Sequence, residues 1–409
     1  MAKSSSISRL QLTNFKLQSL LRITEAINSN LTQEQLLKQY EELLTKDLKI
    51  GKVLVFKFEE TWKCILKSGE VGDNYLNLDI ENDLLCLTEI TFVTSSPIKT
   101  IEGFDILIPV INKNQHIAFV IIGDIDEESP GISPTIKHLT FIQTLSNIII
   151  VAIENIRLFK ELLQQEAIKK ELELASKMQS MLIPSQDKLP SDERIHIRAF
   201  YHPHLEVGGD YYDYIELSRN EIGFCISDVS GKGMSAALLM SNFQANLRAL
   251  FTHEISLPAL IESLNQRVMH AAHGEKFITL FLAKFNFKTR ELEYINAGHN
   301  HPLMYHKNRK ELKFLSKGCV GLGMLDEIPM IRKGSITVEE ATKILCYTDG
   351  LTDLLDGKGV TCGTEEIENC LTNSETIEDN IQNIIEKQGI REDNTAIFDD
   401  ISILGVEIF

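Results

Sequence analysis

No two cysteines in this 409-residue chain form a C-x-x-C pair, and the seven present (Cys64, Cys86, Cys225, Cys319, Cys346, Cys362 and Cys370) are an odd number. That pattern excludes a disulfide framework and fits reduced, cytoplasmic usage. No run approaches the roughly 18 consecutive apolar residues of a membrane span. The amino terminus, Met1-Ala2-Lys3-Ser4-Ser5-Ser6, lacks the apolar core of a signal peptide. Positive charge is scarce: 41 Lys and Arg stand against 58 Asp and Glu, a net −17. Neither nucleic acid nor an anionic membrane is therefore an expected partner, since both call for a basic footprint. Internal repeats and low-complexity tracts are also missing. What remains, 43% apolar and 24% charged, is the composition of a soluble globular protein, expected in the cytoplasm, at a length that favours two domains.

Glycine and proline are absent from residues 135–182, and that absence organises the chain. Ahead of it, residues 10–50 carry apolar positions at helical spacing in two blocks (Leu17, Leu20, Leu21, Ile27; then Leu36, Leu37, Tyr40, Leu43, Leu44). Strand-like segments follow at 52–58, 63–66, 106–110 and 115–122, with Asn112-Lys113-Asn114 as a hairpin signal. A helix beginning near Pro134 closes this α+β segment and, lacking a breaker, continues to Pro184. Its apolar stripe (Ile149, Ile153, Ile156, Phe159, Leu163; then Ile168, Leu172, Ala175, Met178, Leu182) shifts phase near Glu166. Such a stripe fits either a coiled coil with a second copy or a helix packed on its own domain. The expected division is 1–155 as an N-terminal domain, 156–184 as a helical linker and 185–409 as a C-terminal domain. In the last part, strands at 194–201, 210–217, 221–228, 277–285, 292–297, 302–306, 313–315, 344–348 and 401–408 are interrupted by helices in pairs. That alternation predicts sheets inside and helices outside.

Four segments of this C-terminal part end an apolar stretch on an aspartate: Val207-Gly208-Gly209-Asp210, Ile226-Ser227-Asp228-Val229, Cys346-Tyr347-Thr348-Asp349-Gly350 and Asp399-Asp400-Ile401-Ser402. A carboxylate beside buried strands is costly unless a cation or hydrogen-bond donors compensate it. Oxygen donors without clustered His or Cys suit Mg²⁺ or Mn²⁺ rather than zinc. By strand parity Asp228 continues the face of Ile222, Phe224 and Ile226, and the turn after it contains Gly231 and Gly233. Alone, Asp228 reads equally well as a helix cap, and Asp349 as an ordinary Asp-Gly turn. Asp399 and Asp400, adjacent at a sheet end, would repel each other without a cation. Together the acids suit two divalent ions about 3.5–4 Å apart.

In order and spacing, residues 207–213, 227–239, 296–302, 347–352 and 399–402, with the lead-in 171–184, resemble the PPM-type metal-dependent protein phosphatases of the bacterial stage II sporulation branch. The resemblance covers about residues 174–409. It implies a β-sandwich flanked by helices and hydrolysis of phosphoserine or phosphothreonine by metal-activated water, with two Mn²⁺ or Mg²⁺ ions and no covalent phospho-enzyme. On matching positions, Asp228 would bridge the metals, the Val229 carbonyl would bind one, Asp349 and Asp399 would complete the other's shell, and Asp210 would act directly or through water. Asp400 is only a neighbour. Ser402 and Asp353 stand where the family usually has Thr and Glu. The implied substrate is a phosphorylated regulatory protein such as an anti-sigma-factor antagonist.

His202 and His204 read as surface or edge residues. His299 lies in a family motif and suits a structural or an orienting role. Lys232 is either a solvated loop lysine or a phosphate contact, and Gly231-Lys232-Gly233 lacks the spacing of a P-loop. Residues 1–155 resemble a GAF-type sensor through segments 17–30, 105–123 and 154–160, which implies a small-molecule or protein input. The fold class is thus α+β: a GAF-like sensor domain, a helical linker and a PPM-type β-sandwich, dimerising through the linker. The competing reading is a catalytically silent scaffold that binds a partner protein. A nuclease or phosphodiesterase would use similar ions, but the acidic charge opposes nucleic acid.

Overall fold

The computed structural model describes residues 2–73, 75, 78–93, 101–125, 134–354, 361, 363–390 and 397–409. It comprises two compact units, Met1–Glu166 and Ala167–Phe409. Cys362 lies outside the described residues, and the other six cysteines are free.

The first unit opens with α1 (Ala2–Asn28) and α2 (Gln33–Glu42), the latter extended by a π-helical turn at Leu43–Asp47. Thr32 starts α2 with a capping box: its hydroxyl accepts the Gln35 N–H while the Gln35 side chain accepts the Thr32 N–H. Strands β1 (Ile50–Glu59), β2 (Thr61–Ser68), β3 (Thr91–Phe92), β4 (Ile106–Asn112) and β5 (Gln115–Ile125) form an antiparallel sheet in the order β2-β1-β5-β4-β3. A short helix, α3 (Ile80–Asp83), lies between β2 and β3. Lys113 and Asn114 turn the β4–β5 hairpin with φ of 48° and 65°, the left-handed pair a two-residue hairpin requires. Alternation along β1 sends Val53 and Val55 to the core shared with the helices, and Leu54 and Phe56 to a second cluster with Ile80 and Leu84.

The breaker-free stretch forms one 47-residue helix, α4 (Pro134–Ser180), which ends at the turn before Pro184. Its early turns bury Phe141, Ile142, Leu145, Ile149, Ile150 and Ile153, whereas every residue from 158 to 171 is exposed. An 18-residue window within His138–Ser180 has a mean hydropathy of 1.5, so this helix is long and apolar enough to cross a membrane, and half of the window is buried inside the protein.

The second unit contains β6 (Ile195–His202), β7 (Tyr211–Ser218), β8 (Glu221–Val229), β9 (Ile278–Asn286), β10 (Glu291–Ala297), β11 (Leu303–His306), β12 (Glu311–Phe314), β13 (Gly318–Cys319), β14 (Gly334–Thr337), β15 (Thr342–Tyr347) and β16 (Ile401–Ile408). One sheet runs β13-β10-β9-β8-β7 with β14 paired to β10, and the other runs β12-β11-β15-β16-β6. Ile344, Leu404 and Val406 from the second sheet share a core with Phe224 and Phe281 from the first. Helices α5 (Met234–Leu250) and α6 (Leu257–Ala272) add Met240, Phe243, Leu260 and Leu264 to that core. On its other face the second sheet is covered by α7 (Asp349–Thr352), α8 (Glu365–Leu371) and α9 (Ile377–Lys387), through Leu351, Ile367, Ile381 and Ile384. The result is a β-sandwich flanked by helices, as the strand and helix order predicted.

Candidate functional site

Antiparallel pairing brings the four aspartate segments to one end of the sandwich. The start of β7 lies beside the end of β8 (Tyr211 opposite Ser227), and the end of β15 beside the start of β16 (Tyr347 opposite Ile403). Asp210 therefore leads into β7, Asp228 closes β8, Asp349 opens α7 directly after β15, and Asp399-Asp400 precede β16. Helix α5 starts at Gly233 without a side-chain cap, so Asp228 does not serve as its N-cap. Asp349 likewise begins a short helix rather than a simple turn.

Three glycines allow this convergence. A Cβ on Gly208 would lie 2.4 Å from both Asp400 Oδ2 and the Tyr201 hydroxyl, and one on Gly350 would lie 2.0 Å from the Asp400 carbonyl oxygen. At Gly209 the added atom would sit 2.9 Å from the Val229 carbonyl oxygen. The Gly208-Gly209 pair thus lets the loop carrying Asp210 lie against the end of β8 and the Asp399-Asp400 segment.

The acids face one another in different states. Asp210 is buried and accepts a 2.8 Å hydrogen bond from the Thr348 hydroxyl. Burial, then the charges of Asp228 and Asp400, hold its carboxyl well above the usual range. Burial, then Asp349, Asp399 and Asp400, push Asp228 up to about 7. Asp349 is raised by burial and by Asp399. Asp400 is also raised by burial, but it is the structural member of the group: its oxygens accept the N–H of His204 at 2.8 Å and of Gly209 at 2.6 Å. Asp399 meets the Lys232 ammonium at 3.0 Å, and that lysine also donates to the Phe398 carbonyl.

With the side chains so disposed, no three His, Cys, Asp or Glu groups among the described residues are already arranged to hold a metal ion. Asp400 is turned to the loop amides and Asp399 to Lys232. The donor chemistry nonetheless fits a hard divalent cation. The donors are oxygens only, and burial with mutual repulsion raises the carboxyls of Asp210 and Asp228, a cost that a cation would relieve.

The neighbouring residues resolve several open readings. His299 is buried, its Nδ1 lies 2.9 Å from the Thr279 hydroxyl, and its backbone N–H donates to Asn296 Oδ1 at 2.8 Å. Thr279 stands opposite Asp228 in the sheet, and burial lowers the His299 pKa to about 3, so a neutral imidazole buttresses the strand pair behind the acid. His202 stacks on Phe200, and His204 contributes its backbone to Asp400.

Sequence reasoning missed three participants. Gln179, in the last turn of α4, donates its Nε2 to the Gly208 carbonyl at 2.6 Å and accepts the Gly208 N–H at 3.1 Å. Thr348 bridges Asp210 and the Ser402 N–H, the latter at 2.9 Å. Arg248 forks onto buried Asp213 with two 2.7 Å bonds, fastening α5 to β7. A glutamine ending a long helix at a Pro stop, and a lone arginine in the apolar helix α5, were the available signals.

Residues 218–409 match the profile of the family described as Stage II sporulation protein E (SpoIIE). Asp228, Asp349 and Asp399 fall inside the matched segment and Asp210 outside it. The chain is 30% identical over 190 residues to the phosphoserine phosphatase RsbU of Bacillus subtilis, covering 46% of this chain and 55% of that protein. It is 24% identical over 189 residues to the phosphoserine phosphatase RsbP of the same organism, covering 45% and 46% respectively. It thus spans about half the length of these curated relatives. The SiaA-PP2C domain of Pseudomonas aeruginosa superposes with a TM-score of 0.52 at 19% identity, covering 60% of this chain and 99% of that domain, a likeness of fold. The C-terminal sandwich thus carries the SpoIIE match, over somewhat under half of the chain, and shares the fold of the SiaA-PP2C domain.

Proposed function

We propose that the chain is a divalent-metal-dependent phosphatase that hydrolyses phosphoserine or phosphothreonine on a regulatory protein of the anti-sigma-factor-antagonist kind. The observation that carries this reading is the convergence of Asp210, Asp228, Asp349 and Asp399 at one sandwich end, with raised carboxyl pKa values at the first three. It is supported by the phosphoserine phosphatase names of RsbU and RsbP. Asp228, Asp349, Asp399, the Val229 carbonyl and Asp210 would hold two Mn²⁺ or Mg²⁺ ions. Such ions supply Lewis acidity, giving a water nucleophile near neutral pH and a clamp for the phosphoryl oxygens. The protein's own share is positional. Thr348 fixes Asp210, Asp400 pins the loop that carries it, and the Thr279–His299 pair backs Asp228. No Ser or Cys nucleophile is required.

The first unit would act as the sensor, with α4 as its output and a second copy of α4 as its partner. The sheet between helices and the fully exposed stretch 158–171 support that reading. The test is release of phosphate from a phosphoserine-containing regulator with and without Mn²⁺. Metal-dependent release that disappears in Asp228→Asn is expected, and an active Asp228→Asn variant overturns the mechanism. Absence of turnover on every phosphoprotein, alongside retained partner binding, would favour the scaffold reading.

A further inference from the structure

Large exposed apolar side chains of the second unit gather around the acidic centre. Leu205 precedes the Gly208-Gly209 loop, Met234 and Leu238 lie one turn apart on α5, Phe277 precedes β9, Met324 follows β13, and Phe398 precedes the acid pair; Leu238 is 64% exposed and Phe398 58%. They are linked through the site itself. A Cβ on Gly233 would come within 3.9 Å of Leu205, and Lys232 donates to the Phe398 carbonyl. The Phe277 N–H donates to the Ser230 hydroxyl at 2.9 Å, and a Cβ on Gly323 would lie 3.5 Å from the Phe277 Cα. Beside Leu238 a groove of about 420 Å³ opens between α5 and Lys276.

The charges that adjoin this rim are acidic at Glu206, Glu275, Asp326 and Glu327 and basic at Lys232 and Lys276. Residues 318–325 (Gly-Cys-Val-Gly-Leu-Gly-Met-Leu) carry none. Lys232 is engaged by Asp399, and Lys276 by the Ser230 carbonyl at 2.8 Å. An acidic flanking residue would find no free cation among these and would meet the carboxylates, whereas a basic one would be desolvated against apolar side chains. Resting on the phosphatase reading, we infer that this rim is the docking surface for the phosphoprotein substrate and selects a phosphoserine flanked by apolar side chains. The centre takes the phosphate, and the ring of Leu205, Met234, Leu238, Phe277, Met324 and Phe398 buries the neighbours on either side. Apolar contacts around a polar point are the usual anatomy of a specific interface.

The test uses the full chain with Mn²⁺ and three sets of synthetic phosphoserine peptides, whose flanks are Leu/Val, Asp/Glu or Lys, with p-nitrophenyl phosphate as the flank-free substrate. The Leu/Val set is expected to exceed the other two at least tenfold in kcat/KM. In Met234→Glu/Leu238→Glu, the ratio of Leu/Val-peptide to p-nitrophenyl phosphate kcat/KM falls at least fivefold; Met324→Glu, on a different loop, repeats the test should the pair fail to fold. Equal rates for all flanks, or an unchanged ratio in both variants, overturn the inference. It is also overturned if light scattering shows the Glu pair splitting a dimer while the ratio stays constant, because the surface then belongs to a second copy. Failure to hydrolyse any substrate, p-nitrophenyl phosphate included, would instead sink the phosphatase reading beneath it.

Discussion

Asp228 carries an electrostatic cost that its substitution should reveal. Its carboxyl is half-buried among other acids, beside the fully buried Asp210. In the metal-free protein, removing one of these charges relieves repulsion and desolvation rather than breaking a stabilising pair. Asp228→Asn is therefore expected to raise metal-free stability by about 1 kcal/mol, or ~2–4 °C for a domain of this size. The same variant should lose the thermal stabilisation that Mn²⁺ gives the native chain, and its phosphatase activity with it. Differential scanning calorimetry with chelator and with Mn²⁺ separates the two effects; a destabilised metal-free variant would contradict the repulsion argument. Gly208→Ala predicts the opposite pattern. Its methyl would meet Asp400 Oδ2 and the Tyr201 hydroxyl at 2.4 Å, displacing the loop that carries Asp210. Overpacking of this kind costs about 1–3 kcal/mol. Both stability and Mn²⁺ affinity should fall, as read by chemical denaturation and calorimetric titration.

Among the elements, the last turn of α4 reaches the loop that carries Asp210. Gln179 pairs with both backbone groups of Gly208, as a neighbouring strand would, and Gly209 next to it donates to Asp400. Gln179→Ala leaves a buried N–H and C=O unpaired, at a cost of about 1–3 kcal/mol. Because the loosened loop bears Asp210, Mn²⁺ affinity should fall several-fold; an unchanged metal titration would show the loop to be held without the helix. This tie was invisible in the sequence, whereas the elements it joins were not. Strand positions followed from alternation, and most ends lie within two residues of expectation; β16 matches outright. The metal-binding candidates were legible because an acid on an apolar strand end is chemically conspicuous in one dimension. Gln179, Thr348 and the Asp213–Arg248 fork were not, since each acts only on a partner brought close by folding. The short strands β13 and β14 were missed for a related reason: two and four residues hold too little alternation to register. Asp400 was underrated because its work is done with backbone amides of the 204–209 loop, which leave no trace in side-chain pattern.

For the whole molecule, buried titratable groups set opposing pH trends. Burial and mutual repulsion raise the carboxyls of Asp210, Asp228, Asp349 and Asp400 above the unfolded value near about 4, so folding favours their protonated forms. Metal-free stability therefore falls as pH rises, for Asp228 until about pH 7. His299 works the other way: with its pKa lowered to about 3, the stability it contributes is present above the unfolded value near 6.5 and is lost as pH falls. Above pH 6.5 the His299 contribution is level, so urea midpoints in chelator should drop from pH 6.5 to about 7 and stay level with saturating Mg²⁺. A level chelator series would show that the acids are not protonated in the fold. The remaining question at this scale is what covers α4. Residues 158–171 are exposed on every side yet include Leu158, Phe159, Leu162, Leu163 and Ile168. Isolated helical segments of this length are marginal in water, and an apolar stripe on one is a demand for a partner. If a second copy of α4 meets that demand, Phe159→Glu/Leu163→Glu should convert a dimer to a monomer in sedimentation and reduce helix content by circular dichroism. The unfolding of the C-terminal sandwich, whose core lies elsewhere, should stay in place. A native chain that sediments as a monomer, with its helix intact, would rule out the second copy and leave the stripe to a different protein.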